Sequence, residues 1–208
     1  MVMTVKDLVV GYKANAPVAG PISLTVADGE MVLLKGPNGS GKTTFLKTVA
    51  GLLKPLSGTV YAPDAILIPT RIPKVKGFTV TEFIKTFLSF SAGYSIPSSR
   101  KLRPMSSGHN FSETGVVYSD ILTKMGIAEL ADRDISTLSD GQFQKVCLCP
   151  AVASGKKLIL LDEPTAFLDA DSRVSFMQFL QSLPVAVVFS THDLAVCEPY
   201  STQVINFQ

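Results

Sequence analysis

The sequence predicts an α/β fold with a mostly parallel sheet at its core and a helical insertion between its strands. Two stretches carry the prediction. The first is Gly36, Pro37, Asn38, Gly39, Ser40, Gly41, Lys42, Thr43 and Thr44, which follows the apolar run Met31–Leu34 and leads into Phe45–Ala50, a segment with helical spacing. Strand, glycine loop and helix in that order make a phosphate-binding loop, because backbone N–H groups can converge on phosphates only where no Cβ intervenes, and the helix N-terminus favours negative charge. In such a loop Lys42 reaches the phosphates and the Thr43 hydroxyl faces Mg²⁺. The second stretch is Leu158–Leu161, four apolar residues that end in Asp162-Glu163-Pro164. An all-apolar run suits a strand buried on both faces of a parallel sheet, and its C-terminal end is where such sheets bind ligands.

The chain has 208 residues, a usual size for one domain, and 46% hydrophobic content is ample for one core. A formal net charge of +2 gives no general pull toward nucleic acid. The densest basic group, Arg100-Lys101-Leu102-Arg103, reads as a solvated loop. No apolar run has the length of a transmembrane helix, and Met1–Asp7 lacks a signal-peptide pattern, so a cytosolic protein is expected. Cys147, Cys149 and Cys197 are too few and badly spaced for a zinc site and read as small packing residues.

In chain order, Thr4–Val10 alternates as a strand and Pro21–Val26 reads as another before the turn Asp28-Gly29. Tyr12, expected in the loop between them, could stack on a purine or pack against protein. After the first helix, Gly58–Tyr61 and Ala65–Ile68 look like short strands. From Thr79 the spacing turns helical, with Val80, Phe83, Ile84, Phe87 and Leu88 on one face and Thr79 or Thr81 as cap. Ser91–Thr114 reads as loop, and a further helix from Val116 or Val117 through Met125 stops at Gly126. Ser139 and Gln142 have the spacing of a capping box. Val185–Phe189 is a strand that ends in Ser190-Thr191-His192-Asp193, which places His192 at a strand end with the carboxylates. There Asp162 can hold Mg²⁺ through water, Glu163 can orient or deprotonate an attacking water, and His192 can hydrogen-bond a phosphate oxygen.

Together these residues resemble the ATP-binding subunit of an ABC transporter, over nearly the whole chain. In that likeness Tyr12 matches the adenine-stacking aromatic, Gly36–Thr43 the Walker A loop, Leu138–Gln142 the signature, Leu158–Glu163 the Walker B strand, Asp169 the D-loop acid and His192 the switch histidine. The resemblance implies a P-loop NTPase of the ABC ATPase type with a small N-terminal antiparallel β subdomain, one domain over residues 1–208 with 71–137 as the inserted helical subdomain. It implies ATP and Mg²⁺ as cofactors, with Glu163, His192 and Lys42 catalytic and Thr43 and Asp162 on the metal. Two copies pair head to tail, so that each ATP lies between one Walker A loop and the partner copy's Ser139, Gly141 and Gln142. The pair drives a separate integral membrane subunit at the inner face of the membrane, in some systems with a substrate-binding protein, and no nucleic acid is expected. The runs Pro73–Ile84 and Asp132–Ser139 look like importers of iron-siderophore, haem or cobalamin chelates, with the haem exporter ATPase of cytochrome maturation as alternative. A small-molecule kinase could share the phosphate loop without needing Leu138–Gln142 or His192, and a non-transport ABC ATPase shares every motif.

Three positions depart from the family pattern. Thr70 stands where the Q-loop glutamine is expected, and its shorter side chain does not reach as far. Asp140 replaces the first signature glycine. At the start of its own helix an aspartate is favourable by about 0.3–1 kcal/mol. Facing a γ-phosphate at about 6 Å it would be repelled by roughly 3 kcal/mol before screening. Pro150 falls in the helix after the signature, where an interior proline costs about 3 kcal/mol or forces a kink.

Overall fold

The computed structural model describes residues 1–91 and 118–208. Its chain divides into two compact units, one of Met1–Thr70 with Lys156–Gln208 and one of Arg71–Gly155.

The first unit holds two sheets. Strands β1 (Met3–Lys13), β2 (Ala16–Val26) and β4 (Ser57–Tyr61) form an antiparallel sheet in the order β2-β1-β4. Strands β3 (Met31–Lys35), β5 (Ala65–Ile68), β6 (Leu158–Asp162), β7 (Ala186–Ser190) and β8 (Gln203–Asn206) form a parallel sheet in the order β5-β6-β7-β3-β8. Every residue of β6 and β7 is buried, as an all-apolar strand in the middle of a parallel sheet requires. Helix α1 (Lys42–Val49) packs on β5 and β6 with Phe45 and Leu46 fully buried, and Phe45 meets Phe207 edge to face at 5.6 Å. Each such side chain stabilises the core by about 1.5–3 kcal/mol.

The antiparallel strands are longer than their alternation predicts. Gly11, Pro17, Gly20 and Pro21 interrupt the apolar pattern, yet Gly11 pairs with Pro17 and Lys13 with Ala16, so the hairpin runs on to a two-residue turn. Tyr12 therefore lies in β1 rather than in a loop. Strand β4 approaches β1 so closely that a Cβ on Gly58, at φ +79°, would sit 2.3 Å from the Asp7 carbonyl oxygen. Strand β8 had no signal in the sequence, being four residues with a polar residue at each end.

The second unit packs α4 (Asp140–Ala153) against α2 (Val80–Ser91) and α3 (Tyr118–Lys124), with Phe83 and Phe143 rings 5.6 Å apart. Because α4 belongs to this packing, the compact unit runs from Arg71 to Gly155. Thr79 is the cap of α2: its hydroxyl accepts from Glu82 N–H at 3.2 Å, and Glu82 accepts from Thr79 N–H at 2.9 Å. Thr81 instead donates to Ala131 O at 3.0 Å. Ser91, expected in a loop, is the last residue of α2. The rest of the expected loop, 92–114, the basic group at 100–103 and the helix start expected at Val116 or Val117 lie outside the described residues. Pro150 is accommodated inside α4, which ends three residues later, so only the last turn feels its missing N–H. The three cysteines are free and buried. Burial pushes the Cys149 thiol up to about 12 and raises Cys147 and Cys197 as well, so all three behave as packing residues. No helix among the described residues is long and apolar enough to cross a membrane.

Candidate nucleotide site

The loop between β3 and α1 owes its shape to its glycines. Gly39 (φ +83°) and Gly41 (φ +98°) occupy left-handed conformations, and a Cβ on Gly41 would lie 2.7 Å from Ala19 Cβ. Lys42, buried at the start of α1, folds its ammonium back to donate to Gly36 O at 2.6 Å and Pro37 O at 2.9 Å. Ser40 Oγ is, among the described residues, the one buried side-chain oxygen or nitrogen without a hydrogen-bond partner. An orphaned hydroxyl beside a buried ammonium and glycine N–H groups is a donor set that fits phosphate oxygens. Ser40→Ala should then have effects of opposite sign. It should raise the melting temperature of the nucleotide-free protein, since an unsatisfied buried polar group costs about 1–3 kcal/mol, while weakening ATP binding. Calorimetry with and without ATP measures both, and a variant that loses stability in the free state would contradict the reading.

A continuous chain of hydrogen bonds leads from this loop across the C-terminal edge of the sheet. Thr43 Oγ1 donates to the Asp162 carboxylate at 3.0 and 2.9 Å, and Ser190 Oγ donates to Asp162 Oδ1 at 2.8 Å. Glu163 N–H in turn donates to Ser190 O at 3.1 Å and Ser190 Oγ at 3.2 Å. The Glu163 side chain accepts from His192 N–H at 3.2 Å, and its other oxygen lies 3.1 Å from His192 Nε2. The parallel register that pairs Asp162 with Ser190 puts both carboxylates at this edge. Glu163 also has a positive φ of +53°, a conformation disfavoured for a residue with a side chain and enriched at functional sites. Burial pushes its carboxyl above the usual carboxylate range, and the facing His192 partly opposes the shift. Thr43 with Asp162 presents hard oxygen donors of the kind a divalent cation takes beside phosphates.

The other expected residues divide. Tyr12 is largely exposed on β1, with its hydroxyl 3.5 Å from Thr44 Oγ1. Asp169 accepts from Ser172 N–H at 2.9 Å and Ser172 Oγ at 2.8 Å, capping helix α5 (Ala170–Gln181). Ser139, Gly141 and Gln142 lie in the second unit, where Ser139 and Gln142 form the reciprocal capping box of α4 at 3.1 and 3.0 Å. Sequence reasoning gave Ser190 no role, since only strand register shows that it bridges Asp162 and Glu163. It also missed Arg173, which donates to Leu168 O at 2.9 Å and to Asp193 at 2.8 Å and so ties the start of α5 to the segment after β7.

A phosphate loop before the first helix of a parallel sheet, with an aspartate and a glutamate on a neighbouring strand end, defines a P-loop nucleotide hydrolase. The chain belongs to the ABC transporter family, whose model matches residues 19–166. It resembles the high-affinity zinc uptake system ATP-binding protein of Bacillus subtilis at 32% identity, over 99% of this chain and 90% of that one. A cobalamin import ATP-binding protein of Halobacterium salinarum is 29% identical over 92% of this chain and 49% of that one. The fold matches the dimeric structure of a bacterial ABC transporter cassette at a TM-score of 0.77 and 24% identity, over 99% of this chain and 94% of that one. The protein is thus an ATPase that hydrolyses ATP to drive transport.

Proposed function

We propose that this chain energises import of a metal ion or metal chelate through a separate membrane subunit, as one half of a head-to-tail pair at the inner face of the membrane. The observation that carries the site assignment is the unbroken chain Thr43–Asp162–Ser190–Glu163–His192 beside the orphaned Ser40 hydroxyl. In this reading Lys42 and the loop N–H groups hold the phosphates, Tyr12 stacks on the adenine, and Thr43 and Asp162 hold Mg²⁺, which neutralises phosphate charge when bound. Glu163 orients and deprotonates water, with His192 holding its carboxylate in place. Ser139, Gly141 and Gln142 of one copy complete the site of the other, and Asp169 lies at the pair's junction. The dimeric cassette of the same fold supports the pairing, and the zinc and cobalamin relatives support a metal-bearing cargo, as does the sequence likeness to chelate importers.

Pairing has a direct test. Light scattering of the Glu163→Gln form should show the mass of a monomer alone and of a dimer with ATP and Mg²⁺. An unchanged mass would contradict completion of the site in trans. The cargo is tested with the membrane subunit in vesicles: zinc, a ferric siderophore or cobalamin should stimulate hydrolysis, and stimulation by none of the three would remove the import reading.

A further inference from the structure

Asp140 is not the bare charge its place in the signature suggests. Lys74 Nζ lies 2.6 Å from Asp140 Oδ1, donates to Leu138 O at 2.7 Å and sits 5.7 Å from the centre of the Phe143 ring. One ammonium thus touches three residues of the segment that enters α4. Its own position is fixed by backbone pairing farther along. Phe78 O accepts from Ile135 N–H at 2.8 Å and Arg133 O accepts from Val80 N–H at 2.9 Å, while the Asp134 side-chain carboxylate accepts from Gly77 N–H at 2.8 Å. The stretch from Lys74 to Val80 is therefore stitched alongside 133–140. The Lys74 side chain is 23% exposed and that of Asp140 65%, so the cation approaches from the protein side and the carboxylate keeps an open outer face.

We propose that Lys74 is the positioning residue that makes an aspartate workable at position 140: it neutralises the carboxylate and turns it from the approaching charge, so that the signature can meet the phosphates bound by a second copy. The inference rests on the trans pairing proposed above and adds to it a specific counterion. For an exposed pair the stabilising effect on the fold itself is small. Its larger effect is on charge at the face where negative phosphates arrive, since an aspartate left unpaired there repels them over a distance comparable with the screening length.

The test is the ATP- and Mg²⁺-dependent monomer–dimer equilibrium in the Glu163→Gln background, followed by light scattering or sedimentation at low and high salt. Lys74→Ala should weaken the dimer about tenfold at low salt and less at high salt. Adding Asp140→Gly to Lys74→Ala should restore it, because the charge that needed a counterion is gone, and Lys74→Arg should keep it. Should Lys74→Ala not fold, Lys74→Met, which keeps the aliphatic stem over Phe143, carries the same expectation. A parent that stays monomeric with ATP would overturn the pairing itself and the role of Lys74 with it. If the parent dimerises, either an undiminished Lys74→Ala dimer or a loss that Asp140→Gly does not restore overturns the role of Lys74 alone, the second outcome marking a purely structural contact.

Discussion

Glu163→Gln is expected to leave nucleotide binding nearly intact while hydrolysis falls by about 10²–10⁴-fold, the contribution of a positioned general base. The argument starts from the shape of the site. Glutamine matches glutamate in size, can keep the left-handed backbone at φ +53° as well as glutamate does, and leaves the N–H bonds to Ser190 untouched. Its amide oxygen can still accept from His192 N–H. What it cannot do is accept a proton, and the burial that already raises the Glu163 carboxyl shows that the group sits where proton affinity is enhanced. Single-turnover hydrolysis beside equilibrium binding separates the two effects. Hydrolysis at the parent rate would take Glu163 out of the role, whereas loss of binding would mean that the side chain supports the loop instead.

The parts of this site that could be read from the sequence are those whose partners are close along the chain. Gly36 to Thr44 is contiguous, and its glycines, lysine and threonine act through local backbone geometry, so the loop stood out from its flanks alone. Leu158–Leu161 is equally plain, because burial on both faces leaves an all-apolar run. Legibility declined with separation. Glycines and prolines hide the reach of the β1–β2 hairpin, so the sequence alone puts Tyr12 in a loop, whereas the pairing is set by the partner strand and not by its own alternation. Ser190 meets Asp162 across 28 residues through strand register, and Lys74 meets Asp140 across 66, distances at which no local pattern speaks. The packing of α4 on α2 and α3 is likewise made by contacts between segments far apart in the chain.

Lys42→Ala should fail at an earlier step than Glu163→Gln, at nucleotide binding. The lysine is buried, and its ammonium is held by two carbonyl groups of its own loop, Gly36 O and Pro37 O. A cation in that position, with little water around it, makes charge-assisted hydrogen bonds, which contribute about 1.5–3 kcal/mol each. At 1.4 kcal/mol per factor of ten, losing one such bond weakens ATP binding roughly ten- to a hundredfold. ADP binding should suffer less than ATP binding if the ammonium faces the terminal phosphates, and that difference is the diagnostic part of the experiment. Titration calorimetry with both nucleotides measures it. Equal losses for ATP and ADP would mean that Lys42 shapes the loop and does not face the terminal phosphates, because a collapsed cradle would harm every nucleotide alike. Lys42→Arg provides the control: it keeps the charge but carries a planar head that cannot rest on both carbonyl groups in the same way, so partial recovery of ATP affinity would assign the effect to charge.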